Sequence, residues 1–164
     1  MSVTDALLAN ARRYPDHFAT GGLSAAPERH LTVVACMDAR LDLFSMLGLE
    51  IGDAHIVRNA GGVVTADVIR SVAISQRSLG TREIMLIHHT GCGLLNITDE
   101  EFRAQLKADT GIEPDWAVEA FTDLDEDVRE SIARITSDPF IPHKDSVRGF
   151  VFDVKSGELR EVAP

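Results

Sequence analysis

Short apolar runs and helical spacing alternate along the first half of the chain. The apolar runs cover Leu31–Cys36, Ala54–Arg58 and Arg82–His88, and each contains branched side chains. Runs of this length and composition indicate buried strands, which are typical of a parallel sheet. The third run is almost continuously apolar, so we expect it to be a central strand.

The segments between these strands have helical character. Over Thr65–Leu79, apolar side chains recur near one face of a helix, and Gly80 provides its end. A shorter helical turn is predicted over Leu41–Leu47, ending at Gly48. Met1–Tyr14 interleaves charged residues with Ala and Leu, which predicts a short amphipathic helix.

Two more helices are predicted in the second half of the chain. Thr98 opens the first, with Glu101 three residues later in a capping-box pattern, and this helix ends near Gly111. The second is acidic and is expected over about Val118–Ile135, before the break at Asp138-Pro139.

A strand–turn–strand pattern closes the chain. The strands are expected over Val147–Val154 and Glu158–Val162, with Ser156-Gly157 in the turn. The whole order of strands and helices predicts an α/β fold, with a short parallel sheet covered by helices on both faces. At 164 residues, and with no linker or repeat, we expect a single domain over residues 1–164.

Composition and charge exclude some function classes. The chain is 45% hydrophobic and carries a net charge of −10, which argues against nucleic-acid or anionic-membrane partners because those need a basic surface. No apolar run approaches the roughly 20 residues that span a bilayer. Met1–Tyr14 lacks the apolar core and cleavage site of a signal peptide, so we expect a cytoplasmic protein with reduced thiols.

Both of the chain's cysteines lie where strands end. Cys36 ends the first predicted strand, Arg58-Asn59 lie at the end of the second, and His89 and Cys92 follow the third. In this class of sheet, ligands bind beyond the carboxyl ends of the strands, so these side chains can converge. Two thiolates and an imidazole suit Zn²⁺ with one coordination position open, and water bound there can become hydroxide near neutral pH.

His88 is the competing histidine ligand. Adjacent residues in a strand face opposite sides, so His88 and His89 should not both reach one ion. We choose His89 because a tight turn can aim it and Cys92, three residues later, at the same point.

Asp38 and Arg40 follow the first cysteine. Asp38 could orient a zinc-bound water by accepting its hydrogen bond, pass a proton outward as a base, or ligate the zinc itself. Arg40 can pair with Asp38 and turn it away from the metal. One hypothesis is a pH-dependent exchange, with Asp38 on zinc at lower pH and on Arg40 at higher pH.

Four segments together resemble the β-class carbonic anhydrases. They are Cys36–Arg40, Val57–Gly62, His88–Gly93 and the closing Gly149–Leu159, in the family's order and across nearly the whole chain. The common first motif of the family has serine on both sides of the aspartate, whereas this chain has Met37 and Ala39. Both differences make the surroundings of the aspartate more apolar.

The resemblance implies the reversible hydration of carbon dioxide to bicarbonate and a proton by attack of zinc-bound hydroxide. It implies one Zn²⁺ per chain on Cys36, His89 and Cys92, with Asp38 and Arg40 as the catalytic dyad.

The resemblance also implies a fold and an assembly. The expected sheet has four parallel strands and an added C-terminal strand, in a homodimer or dimer of dimers whose N-terminal helices reach across to the partner. A narrow apolar pocket for carbon dioxide is expected around Gly61, Gly62, Gly93 and Leu94.

Other functions remain open at this point. The same scaffold could hydrolyse carbonyl sulfide or carbon disulfide, which are linear and apolar like carbon dioxide. A non-catalytic zinc-stabilised regulatory module is a second alternative, with Asp38 as a fourth ligand. A cysteine phosphatase is disfavoured, because that chemistry needs cysteine and arginine six residues apart and Cys36 and Arg40 are four apart.

The proposed ligand set predicts a pH dependence of activity. Two thiolates neutralise the charge of zinc, so a bound water should have a pKa somewhat above the value of about 7 found in strongly activating sites. We therefore expect the hydration rate to rise on the alkaline side of neutrality in stopped-flow measurements. A rate that stays constant from about pH 6 to about pH 9 would contradict this ligand set.

Overall fold

Five strands form a single sheet in the computed structural model, which describes residues 2–163. Met1 and Pro164, the two ends of the expected domain, lie outside the described residues. Met1 is also the first residue of the predicted N-terminal helix. The strands are β1 (Leu31–Cys36), β2 (Ala54–Asn59), β3 (Glu83–His89), β4 (Val147–Phe152) and β5 (Leu159–Val162).

The sheet has the order β2-β1-β3-β4-β5. Its first four strands are parallel, and β5 pairs antiparallel with β4. This arrangement confirms the four-stranded parallel sheet with an added C-terminal strand. The expectation that β3 is central is also confirmed, and β1 lies directly beside it.

Five α-helices connect and flank the strands. They are α1 (Val3–Ala11), α2 (Leu43–Leu47), α3 (Ala66–Leu79), α4 (Asp99–Thr110) and α5 (Leu124–Ser137). The Thr98 side chain caps α4 by accepting the N–H of Glu101, as the capping-box pattern predicts. Two short 3-10 helices, Tyr14–His17 and Gly93–Asn96, were not predicted.

The predicted start of the acidic helix was wrong. Helix α5 begins at Leu124, six residues after Val118, because Asp123 caps it with its side chain. The N–H groups of residues 118–120 instead donate to the carboxylate of Asp99, at 2.9 to 3.3 Å. The Asp99 carboxylate, about twenty residues earlier in the chain, thus pairs with backbone N–H groups that would otherwise need a helix or water.

The core lies on both faces of the sheet. Helices α3 and α5 pack on one face, where Val72, Leu86 and Ile135 are completely buried. Helix α2 covers part of the other face through Leu43, which packs with Val33 and Ile87. Within residues 2–163, no helix is both long and apolar enough to cross a bilayer.

Helix α1 is the exception to this packing. None of its residues is buried, and Val3, Leu7 and Leu8 expose their apolar side chains. Among the described elements, its main contact is a small one with the 3-10 helix Tyr14–His17, the next element along the chain.

Gly149 tests the packing of α5 on β4. A Cβ atom at this position would clash with the Val128 side chain and lie 3.0 Å from Ile132 Cδ1. We expect Gly149→Ala to lower the free energy of unfolding by about 1 to 3 kcal/mol in urea denaturation. The matched control is Gly22→Ala, where a Cβ would meet nothing within 4 Å. Equal effects of the two substitutions would contradict the tight packing.

Candidate metal centre and active site

Three potential metal ligands converge at the carboxyl edge of the sheet. Cys36 ends β1, His89 ends β3, and Cys92 follows in the next turn. One ligand atom from each residue lies within 4.8 Å of the others, and all three residues are buried. The parallel pairing of β1 with β3 brings these distant sequence positions together.

The imidazole of His89 is oriented towards this cluster. Its Nδ1 donates a hydrogen bond to the backbone oxygen of Thr90 at 3.0 Å, which leaves the lone pair on Nε2. Within the described residues Nε2 is buried and has no hydrogen-bond partner. A buried, unpaired ring nitrogen beside two thiols fits a metal ligand.

His88 faces the other side of the strand. Its Nε2 lies 2.5 Å from Oδ2 of Asp127 on α5, and its ring packs near Phe121. The alternation of side chains along β3 therefore leaves His89 with the cysteines.

The two thiols influence each other's ionisation. Their hydrogen bond holds the pKa of Cys36 well below its usual value, and it raises the pKa of Cys92, to which burial adds. The Cys36 thiolate is stabilised by the S–H group of Cys92. Its negative charge then disfavours ionisation of Cys92 as well. A cation between the sulfurs removes this opposition, so the pair favours a metal ion.

Asp38 and Arg40 form a bidentate pair beside the cluster. Arg40 donates from Nε to Asp38 Oδ1 at 2.9 Å and from Nη2 to Oδ2 at 2.7 Å, and its backbone N–H also reaches Oδ1. These bonds hold the pKa of Asp38 well below its usual range. Oδ2 is also only 3.8 Å from His89 Nε2, so the carboxylate lies at the edge of the ligand cluster.

An apolar cavity of about 500 Å³ opens next to the ligands. Its wall includes three of the four expected pocket residues, Gly61, Gly93 and Leu94. The remaining wall comes from the first motif and from the segments around α4; it consists of Cys36, Met37, Asp38, Ala60, Cys92, Ile97, Phe102, Trp116 and Val118. The apolar side chains from the α4 region were not identified from the sequence.

Comparison with known proteins identifies the family. A model of the carbonic anhydrase family matches residues 31–121. Beta-carbonic anhydrase 1 of Mycobacterium tuberculosis is 55% identical over 164 residues, and the match covers all of both chains. The chain belongs to the β-carbonic anhydrase family. Carbonic anhydrases are lyases, so membership makes this chain an enzyme of that class.

Two further relatives bear on structure and substrate. The crystal structure of carbonic anhydrase from Streptococcus mutans matches with a TM-score of 0.92 and 44% identity, over 99% of each chain. A carbon disulfide hydrolase from Acidithiobacillus thiooxidans is 34% identical over a match of 154 residues, with coverages of 80% of this chain and 76% of the relative.

Gly62 lies behind the cavity of this β-carbonic anhydrase and does not line it. Its φ is +75°, and a Cβ atom would come within 2.8 Å of the Cys36 backbone nitrogen and 2.9 Å of the Ala35 carbonyl carbon. Only glycine permits this approach, which seats the loop after β2 directly on the end of β1. The neighbouring Gly61 faces Leu94 at the cavity wall.

The sequence places Arg58 at the same edge of the sheet as the metal ligands but assigns it no role. It lies near the end of β2 and donates hydrogen bonds to three backbone carbonyls, one at the last residue of β1 and two in the loop that follows. Its position in Val57–Gly62, the second segment that resembles the family, indicated that it contributes to the site. Its partners could not be inferred, because backbone carbonyls carry no sequence signature.

The close approach at Gly62 predicts a site-specific effect. We expect Gly62→Ala to reduce bound metal, measured by elemental analysis, and to destabilise the fold because the backbone of β1 must move. The matched control is Gly111→Ala, which has nearly the same φ of +76° but open space around a Cβ. We expect Gly62→Ala to cost about 2 kcal/mol more than the control in urea denaturation. Equal costs with full metal content in both variants would contradict the account of this loop.

Proposed function

We propose that this chain catalyses the reversible hydration of carbon dioxide to bicarbonate and a proton, with one Zn²⁺ held by Cys36, His89 and Cys92. The observation that carries the proposal is the convergence of these three side chains beside a bidentate Asp38–Arg40 pair. The whole-length similarity to a named β-carbonic anhydrase supports the same reaction.

The donor set fits zinc better than a hard cation. Two sulfurs and an imidazole nitrogen suit a borderline-soft ion, and three protein ligands are typical of catalytic rather than structural zinc sites. A bound zinc ion would supply a water molecule that is acidic enough to act as a nucleophile near neutral pH. These thiol ligands need a reducing compartment such as the cytoplasm, where we place the protein.

Asp38 orients the nucleophile in this proposal. Its carboxylate lies beside the cluster and can accept a hydrogen bond from the attacking water, so that a lone pair points towards the substrate. Arg40 keeps the carboxylate ionised; it donates twice to Oδ1 but only once to Oδ2, so Oδ2 can still accept a hydrogen bond from the water. Arg40 is itself held by the Gly91 carbonyl at 3.1 Å, which links the dyad to the turn that carries Cys92.

The apolar wall of the cavity favours binding of carbon dioxide over water. Carbon dioxide is small, linear and apolar, and the wall beside the ligands is formed by Gly61, Gly93 and Leu94. An apolar wall favours the substrate over water without holding the charged product, which helps bicarbonate to leave.

Hydrolysis of carbon disulfide or carbonyl sulfide is the second candidate. The carbon disulfide hydrolase relative supports it, as does an apolar cavity with room for larger sulfur atoms. The test compares carbon dioxide hydration with hydrogen sulfide release on the same zinc-loaded preparation. Fast hydration with little sulfide release is expected, and the reverse result would replace the first proposal.

A non-catalytic zinc module is less consistent with the geometry. A structural zinc site normally has four protein ligands, and Asp38 is the available fourth group. Its two oxygens are instead occupied by three hydrogen bonds from Arg40.

Asp38→Ala discriminates between these roles. In an enzyme it should lower kcat/KM for carbon dioxide by about 100-fold and retain about one zinc per chain. The matched control is Asp67→Ala, which removes the carboxylate of another Asp–Arg pair, on α3, where it is far more exposed. Loss of zinc and stability in Asp38→Ala would instead indicate a structural site.

We also propose that the chain assembles as a homodimer or a dimer of dimers through α1. Its exposed apolar side chains lack a binding surface within the described residues of one chain, which is typical of an interface. Leu7→Asp combined with Leu8→Asp should shift the protein towards monomer in sedimentation velocity. The control is Ile112→Asp, at an exposed apolar residue after α4. An unchanged assembly in the double variant would contradict this role of α1.

A further inference from the structure

Arg58 contacts the loop that carries the catalytic dyad. It donates from Nε to the Cys36 carbonyl at 2.9 Å, from Nη2 to the Asp38 carbonyl at 2.7 Å and from Nη1 to the Leu41 carbonyl at 3.2 Å. All three acceptors are main-chain oxygens within a stretch of six residues. A single guanidinium group thus binds the main chain of the loop at three points.

This contact depends on the geometry of arginine. A guanidinium carries five donors in a rigid planar fork, so its three nitrogens can each reach a different carbonyl. A lysine ammonium has the same charge but a single nitrogen, which cannot span the three positions.

The Arg58 contacts act at the main chain of Asp38, whereas Arg40 acts at its side chain. The Asp38 carbonyl accepts from Arg58 and from the Leu41 N–H, and its carboxylate accepts from Arg40. The preceding Met37 N–H donates to the Asn59 carbonyl at 2.7 Å, which joins the start of the loop to β2. The position of the carboxylate therefore depends on both arginines.

We propose that Arg58 is a positioning residue, which holds residues 36–41 in the conformation that keeps the Asp38 carboxylate on Arg40 and beside the metal cluster. Arg58 does not line the cavity next to the cluster, so it acts through the loop and not on the substrate. This inference rests on the proposed function, because it assigns Arg58 to the machinery that Asp38 serves.

Two substitutions test the role of Arg58. Arg58→Gln removes the fork and the charge, and Arg58→Lys keeps the charge without the fork. In zinc-loaded protein we expect kcat/KM for carbon dioxide, normalised to bound zinc, to fall 10- to 100-fold in both variants, roughly the range for groups that orient first-sphere ligands. The control is Arg129→Gln, since Arg129 on α5 also donates to a backbone carbonyl, that of Ala163 directly after β5.

A readout independent of activity follows the loop itself. Hydrogen–deuterium exchange should become faster at the amides of residues 37–41 in both Arg58 variants, and it should be unchanged there in Arg129→Gln. Guanidinium ion at millimolar concentration should partly restore kcat/KM in Arg58→Gly, because it can occupy the position of the missing side chain. A general loss of stability would not be restored by guanidinium, because this ion destabilises folded proteins.

A double substitution separates action through Asp38 from other effects. In an Asp38→Ala background, Arg58→Gln should lower kcat/KM little further, because the group that Arg58 positions is already missing. Additive losses would overturn the proposal. Unchanged kcat/KM per zinc in both Arg58 variants would also overturn it, whether or not they are less stable.

The proposed function can fail separately from this inference. If zinc-loaded wild-type protein does not hydrate carbon dioxide, the proposed function is wrong, and the exchange measurement still decides whether Arg58 holds the loop. If the wild type is active, Asp38→Ala shows the expected loss of kcat/KM and Arg58→Gln equals wild type, then only the role of Arg58 is wrong. Arg58→Lys keeps the test available if Arg58→Gln does not fold.

Discussion

The parallel pairing of β1 with β3 is the constraint on which the candidate site depends. It places Ala35 opposite Ile87, so that the two strands end at the same edge of the sheet. The next residues can then converge although they are about fifty positions apart in sequence. The alternation along β3 sends His89 to the cysteines and His88 to Asp127, and a register shift of one residue would exchange the two.

A second requirement is control of negative charge at this edge. Two thiols and a carboxylate lie close together, and a metal ion at the cluster would attract all three. Arg40 competes for both oxygens of Asp38, and Arg58 fixes the main chain from which that side chain extends. With a metal ion bound at the cluster, Asp38 would leave one coordination position open, because Arg40 holds its carboxylate. If the loop were not held in place, Asp38 could reach a bound metal ion and become its fourth ligand.

The α/β sheet and the ligand cluster could be predicted because both depend on local patterns. Apolar runs predict buried strands, and polar residues after such runs lie at a common edge. The rest depends on contacts that leave no local pattern. The Asp99 carboxylate accepts hydrogen bonds from the N–H groups of residues 118–120, so these residues do not join α5. Arg58 binds main-chain oxygens, which every residue possesses. Gly62 was expected in the pocket, but the reason for a glycine there is the backbone of β1 behind it.

Diffraction from crystals of the full chain, with data collected at the zinc absorption edge, would show directly whether Cys36, His89 and Cys92 bind zinc. We expect one anomalous peak per chain, about 2.3 Å from the sulfurs of Cys36 and Cys92 and about 2.0 Å from His89 Nε2, with Asp38 still paired to Arg40. A peak at other residues, no peak in active protein, or Asp38 bound to the metal with Arg40 released throughout the active pH range would contradict it.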